Sequence, residues 1–142
     1  MCTREYARRL RSSRGAVVNI SSVNGDHGPT EGAAHYCAAK AAIAQFTKVA
    51  ALELAPRGIR VNAVSPGATM TPMAQANARM HDAFVERTPL GRFGEVDDIA
   101  RVVVFLLSHE AGWITGVTIP VDGGLHMRGV HNFHAVLTES EP

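Results

Sequence analysis

"IRVNAVS", residues 59–65, decides the fold. Ile59, Val61, Ala63 and Val64 make it a mainly apolar stretch, interrupted by Arg60 and Asn62, and Pro66-Gly67 closes it. A short apolar run bounded by turn residues reads as a strand buried on both faces, the situation of a strand in a parallel sheet covered by helices. Upstream, Pro56 and Gly58 break a helical pattern over 34–55, where Ala39, Ile43, Phe46, Ala50 and Leu54 recur at three or four residues. Further back, "NGDHGPTEG", 24–32, is full of turn residues and reads as a loop, and "GAVVNIS", 15–21, as another buried strand. Downstream, the weaker periodicity of 69–89 predicts one or two short helices. "EVDDIARVVVFLLS", 95–108, predicts a helix with Asp97 and Asp98 in the first turn, where the dipole favours anions. Its buried stripe is Ile99, Val102, Val103 and Leu106. "GVTIPVDGG", 116–124, is a third strand, which Pro120 assigns to a sheet edge.

Strand, helix, strand, helix, strand with apolar strands predicts an α/β fold with a parallel sheet, built from right-handed crossovers. In such sheets the ligand crevice lies beyond the carboxyl ends of the strands. That rule brings Ser21-Ser22, Pro66-Gly67 and Asp122-Gly123-Gly124 to one rim, with the start of the 34–55 helix beside them.

Composition narrows the function classes. The 142 residues suit one domain, and 46% hydrophobic with 19% charged residues is ordinary for a soluble globular chain. A formal net charge of +1 predicts neither nucleic acid nor an acidic membrane as partner. Cys2 and Cys37 offer neither a disulfide framework nor a metal spacing, which fits a reducing, cytoplasmic setting. No apolar run reaches the roughly 18–20 residues of a membrane span, and no secretory signal is seen. The basic "REYARRLRSSR", 4–14, reads as an exposed helix end, with Glu5 and Arg9 at i,i+4 and Tyr6 and Leu10 on one face. His126, His131 and His134 have no carboxylate or cysteine at ligand spacing, so no metal site is predicted and 125–142 reads as a flexible tail.

"HYCAAKAAIAQF", 35–46, sets Tyr36 and Lys40 one helical turn apart on one face. A free phenol, with a pKa of about 10, is a poor base at neutral pH, and a neighbouring ammonium favours its ionised form. A phenol in that setting can exchange a proton with a substrate oxygen, and a hydroxyl from a strand end can hold that oxygen. Ser22 precedes Tyr36 by enough chain to leave the strand, loop over and enter the helix. The Tyr-x-x-x-Lys spacing alone is common on solvated helix faces.

The spacing has company. "GAVVNISS", "YCAAK", "GIRVNAVSPGATMTPM", "PLGRFGEVDDIARVVVFLLS" and "ITGVTIPVDGG" follow in order, and over about 14–124 the chain resembles the C-terminal half of a short-chain dehydrogenase/reductase. The resemblance implies a partial Rossmann-like, doubly wound parallel sheet of about three strands with flanking helices, its N-terminal half missing. Residues 1–124 would be this portion, and 125–142 the tail. It implies Tyr36 as general acid/base, Lys40 as its partner and a ligand of the nicotinamide ribose, and Ser22 as the group orienting the substrate carbonyl or hydroxyl. Ser21 is the alternative, since the serine-to-tyrosine interval is one residue longer than the pattern leads one to expect. Pro66, Gly67, Thr69 and Thr71 resemble the segment that holds the nicotinamide carboxamide and pyrophosphate, and Asn62 a structural asparagine. The implied activity is hydride transfer between NAD or NADP and a carbonyl or alcohol of a small-molecule substrate, in a homo-oligomer when full-length. The pocket would come from 23–33 and 69–90, with Met70, Met73 and Met80 forming either a flexible lid or ordinary packing.

The sequence holds no T-G-x-x-x-G-x-G turn, no N-A-G stretch and no asparagine in the helix before Ser22, all of which the family carries further upstream. Only the nicotinamide end of the cofactor would find its ligands here, an open sheet edge is expected, and dinucleotide binding by this chain alone is expected to be weak. The alternative reading is a non-catalytic remnant whose alanine-rich helix pairs with a full-length relative.

Overall fold

The computed structural model describes residues 2–10, 14–28, 30–75 and 78–127. Strand β2, Ile59–Pro66, is its centre. β1, Gly15–Ile20, and β3, Thr118–Val121, flank it in the order β1-β2-β3, both parallel to it. Val17 stands opposite Val61, and Val64 opposite Ile119.

β2 is buried because both its faces are covered. Ile59 and Val61 pack with Ala50 and Ala51 of helix α3, Ala34–Leu54, and Ala7 of helix α1, Cys2–Arg9; α2 is the short turn Val23–Asp26 between them. Val64 packs with Ala111 and with Leu106 of a later helix, Val96–Leu107. Successive strand residues point to opposite faces, so the two long helices lie on opposite sides of the sheet, a doubly wound arrangement. Helices α4, Pro72–Gln75, and α5, Ala78–Arg87, lie between β2 and that last helix, α6. The polar residues of β2 are paired. Asn62 donates to the Ile114 carbonyl at 2.9 Å and accepts the Val117 N–H at 3.3 Å. Arg60 donates to the carbonyls of Leu106 and Ser108 at 2.7 and 2.8 Å, satisfying the open end of α6.

The handedness expectation needs correction. β1 to β2 and β2 to β3 step the same way across the sheet, yet their connecting helices α3 and α6 cover opposite faces. Two such crossovers have opposite hands, so they are not both right-handed. The preference belongs to compact strand–helix–strand units; the β2–β3 connection carries three helices and is not one.

Local differences have local causes. Within the predicted loop, Val23–Asp26 forms one helical turn because Ser22 caps it, accepting the Asn24 N–H at 3.3 Å. Phe46, one of the residues whose recurrence marks α3, is 48% exposed; Ala44, Thr47, Ala50 and Ala51 carry the packing. Small side chains let α3 approach the sheet, and Thr47 accepts from Asn19 of β1 at 2.9 Å. Pro120 sits in edge strand β3, and β1 forms the other edge with Ile20 exposed. Leu125–Met127 is a 3-10 turn rather than loose tail, and 128–142, with His131 and His134, lies outside the described residues.

That turn is held by Asp122. Its carboxylate accepts the backbone N–H of His126 at 2.7 Å and of Gly124 at 3.0 Å, and meets the His126 ring nitrogen Nδ1 at 2.8 Å. Burial pushes the Asp122 carboxyl up, but these bonds outweigh it and hold the group below the usual carboxylate range. A depressed carboxyl contributes stability that is complete above its unfolded value of about 3.9 and is lost as pH falls through the lower folded value. Acid unfolding below about pH 4 is therefore expected to flatten in Asp122→Asn, with the variant less stable than the parent at neutral pH; a denaturant series across pH reads both.

Candidate active site

Strand β1 ends at Ile20, and the chain turns at Ser21 and Ser22 directly over the start of α3. Ser21 Oγ donates to the Lys40 carbonyl at 2.9 Å. Lys40 Nζ donates back to the Ile20 carbonyl at 3.2 Å. This reciprocal pair stitches the end of β1 to the second turn of α3. It fixes the ammonium 5.7 Å from the centroid of the Tyr36 ring. Gly25 completes the clamp: a Cβ there would stand 2.6 Å from the Ala41 nitrogen and the Lys40 carbonyl carbon. Backbone cannot yield at that distance, so Gly25→Ala is expected to push α2 off α3, displace Ser22 and cost about 1–3 kcal/mol by denaturant unfolding.

A cavity of about 490 Å³ opens at this rim, within the range of small-molecule sites. It lies at the carboxyl ends of β1 and β2, where the crevice rule puts a ligand. Ser22, Tyr36 and Lys40 line one side. Pro66, Gly67, Thr69 and Thr71 line another, as the chain leaves β2. Every residue assigned above to catalysis or cofactor therefore faces one space. Gly67 is required by packing, since a Cβ there would meet the Asp122 Cβ at 2.5 Å. Thr69 Oγ1 donates to the Gly67 carbonyl at 3.1 Å, and the Thr69 backbone bridges to Gly94, which steadies the loop.

Sequence reasoning did not include Val96, Ile99 and Ala100, which bring the first turns of α6 to the cavity. Ile99 belongs to the predicted buried stripe, and nothing in a periodicity distinguishes a residue that faces a strand from one that faces the space beyond its end. The start of α6 is fixed by Asp98, which accepts the Glu95 N–H at 2.8 Å and pairs with Arg92 at 2.7 Å. Arg92, and then the Glu95 N–H, hold the Asp98 carboxyl below its ordinary value.

Ser21 and Ser22 differ in what they face. Ser21 lines this cavity alone and spends its proton on Lys40. Ser22 also lines a second, adjoining cavity, and its hydroxyl accepts a bond and so can still donate. A larger recess beside Trp113 sits at the amino ends of β1 and β2, by Gly15 and Ile59, away from these groups. Among the described residues no three metal-ligating side chains gather, and no helix is long and apolar enough to cross a membrane.

A hydroxyl, a phenol and an ammonium thus share one cavity at the carboxyl ends of parallel strands on an open α/β sheet. The family model described as enoyl-(acyl carrier protein) reductase matches residues 1–126. The chain is 45% identical over 117 residues to L-xylulose reductase of Bos taurus, covering 80% of this chain and 48% of that protein. It is 48% identical over 119 residues to the 3-oxoacyl-(acyl-carrier-protein) reductase FabG of Staphylococcus epidermidis, covering 83% and 48%. A short-chain type dehydrogenase/reductase from Mycobacterium ulcerans superposes with a TM-score of 0.80 at 34% identity, over 97% of this chain and 50% of that one. The chain belongs to the short-chain dehydrogenase/reductase family. It spans about half the length of the curated relatives it matches.

Proposed function

We propose that this chain carries the proton-transfer and nicotinamide-binding part of an oxidoreductase that interconverts a carbonyl and an alcohol. The observation that carries the reading is the shared cavity of Ser22, Tyr36 and Lys40. Lys40 spends one of its three ammonium donors on Ile20, so two remain for ribose hydroxyls. Thr69, Thr71 and the Pro66-Gly67 backbone would face the carboxamide. This donor set suits the nicotinamide end of NADH or NADPH, which when bound supplies the hydride.

The chain's own part is the proton. Ser22 would donate a hydrogen bond to the substrate oxygen and fix its position. Tyr36 would give its phenolic proton to that oxygen as the carbonyl carbon is reduced, or take it back when the alcohol is oxidised. Lys40 places positive charge beside the phenol, where the departing proton leaves negative charge. Tyr36 is 41% exposed, so water can restore its proton between turnovers.

The test is isotopic. The full chain, mixed with a high concentration of reduced nicotinamide mononucleotide deuterated at the transferring carbon and a small ketone, is expected to give, slowly, an alcohol with one deuterium on the carbinol carbon. Lys40→Met is expected to reduce that transfer through weaker nucleotide binding. Saturable binding of the mononucleotide with no deuterium transfer contradicts the reading.

A further inference from the structure

The second cavity, about 250 Å³, shares Ser22, Tyr36 and the 66–71 segment with the first but is not lined by Lys40, Ile99 or Ala100. Its wall is Val23, Ala68, Ala74, Phe84, Phe93 and Leu125, with Asn24 as its amide. None of the described residues lining it carries a formal charge, and Lys40 lines the first cavity but not this one. Phe84 and Phe93 meet edge to face, 6.2 Å between centroids and 81° between planes, so one wall is a fixed aromatic corner. Phe93 is 6% exposed and cannot swing out without opening core. Of the two threonines that also reach the space, Thr69 spends its proton on the Gly67 carbonyl, while Thr71 accepts the Ala74 N–H and can still donate.

We propose that this cavity, part of the substrate pocket already expected from 23–33 and 69–90, selects an uncharged, compact carbonyl or alcohol with an apolar, ring-like or branched body. The inference rests on reading the adjoining cavity as the nicotinamide side. A volume of about 250 Å³ is below the range that holds drug-sized ligands, which favours a small body over a long chain. An unpaired carboxylate entering this wall would lose its hydration with no cation among the described lining residues to replace it. The carbonyl oxygen would point at Ser22 and Tyr36, which both cavities share.

Cyclohexanone and cyclohexanecarboxylate, of similar size and opposite in charge state, are the probes. Titrated separately into the isotope-labelled full chain, cyclohexanone is expected to shift the amides of Ala68, Ala74, Phe84, Phe93 and Leu125. The carboxylate is expected to bind at least about tenfold more weakly, because burial strips its water. Equal or tighter binding of the carboxylate, or cyclohexanone shifts that miss these five residues, overturns the proposal. Ala74→Leu fills the space and is expected to remove the cyclohexanone shifts; their persistence also overturns it. Should that variant fail to fold, the two-probe comparison on the parent chain still decides. Reduced nicotinamide mononucleotide is read separately at Ile99 and Ala100. If it leaves them unmoved while cyclohexanone shifts its own set, the nicotinamide reading has failed and the apolar cavity has not.

Discussion

Replacing Tyr36 by phenylalanine, in a longer form that turns over, is expected to lower kcat by about 10²–10⁴-fold while changing reduced-nicotinamide binding by no more than about twofold. Phenylalanine keeps the ring and its place 5.7 Å from the Lys40 ammonium, and removes only the proton that the substrate oxygen needs. The variant thus isolates a group whose contribution is made in the transition state, which lowers kcat and kcat/KM together. Steady-state kinetics with a paired binding titration reads both quantities. Retained turnover would take Tyr36 out of proton transfer. A parallel loss of nucleotide binding would instead make it a structural part of the cofactor wall. Ser22→Ala is a graded companion, since it removes an orienting bond and leaves the acid in place.

The second large effect concerns the sheet that holds this cavity. Leu106→Ala is expected to cost about 2–5 kcal/mol, because Leu106 is 0% exposed and wedged against Val64 and Ala111. Single domains have only about 5–15 kcal/mol in hand, so the variant should lose a large part of its cooperative transition. Trp113→Ala is the control. The tryptophan is 99% exposed, and its removal should move stability by no more than about 0.5 kcal/mol. Urea unfolding of the three chains measures the difference, and similar midpoints for Leu106→Ala and the parent would mean that α6 is not packed on β2 as described. Damage from Leu106 would also reach the cavity, since Val96, Ile99 and Ala100 ride on the same helix.

Most of the frame is legible in residue order. β2 reads as a buried strand because Ile59, Val61, Ala63 and Val64 make a short apolar run closed by Pro66-Gly67, and Pro120 reads as edge because a proline cannot donate to a neighbour. The partners that let Arg60 and Asn62 sit in that strand are backbone carbonyls, which the sequence does not mark. The end of α3 is legible too, since Gly58 takes a left-handed conformation at φ 65°. Phe46 is harder. Apolar residues surround α3, so a period of three or four fits more than one stripe, and only the sheet selects the small-residue one. The turn Val23–Asp26 is too short to have a period and depends on a cap. In the site, the Tyr36–Lys40 pair is legible from helix geometry alone. What anchors Lys40 is a backbone carbonyl at Ile20, and a carbonyl has no signature in sequence. The aromatic corner of Phe84 and Phe93 joins residues from α5 and the loop before α6, whose meeting depends on how that loop folds back.

The most direct measurement is an amide chemical-shift map of this 142-residue chain titrated with reduced nicotinamide mononucleotide, the part of the cofactor whose expected ligands it contains. The map is predicted to show saturable shifts at Ser21, Ser22, Tyr36, Lys40, Thr69 and Ile99, and to lose them in Lys40→Met. Shifts gathered instead around Trp113 and Gly15, or none at any concentration, would contradict the assignment of this cavity.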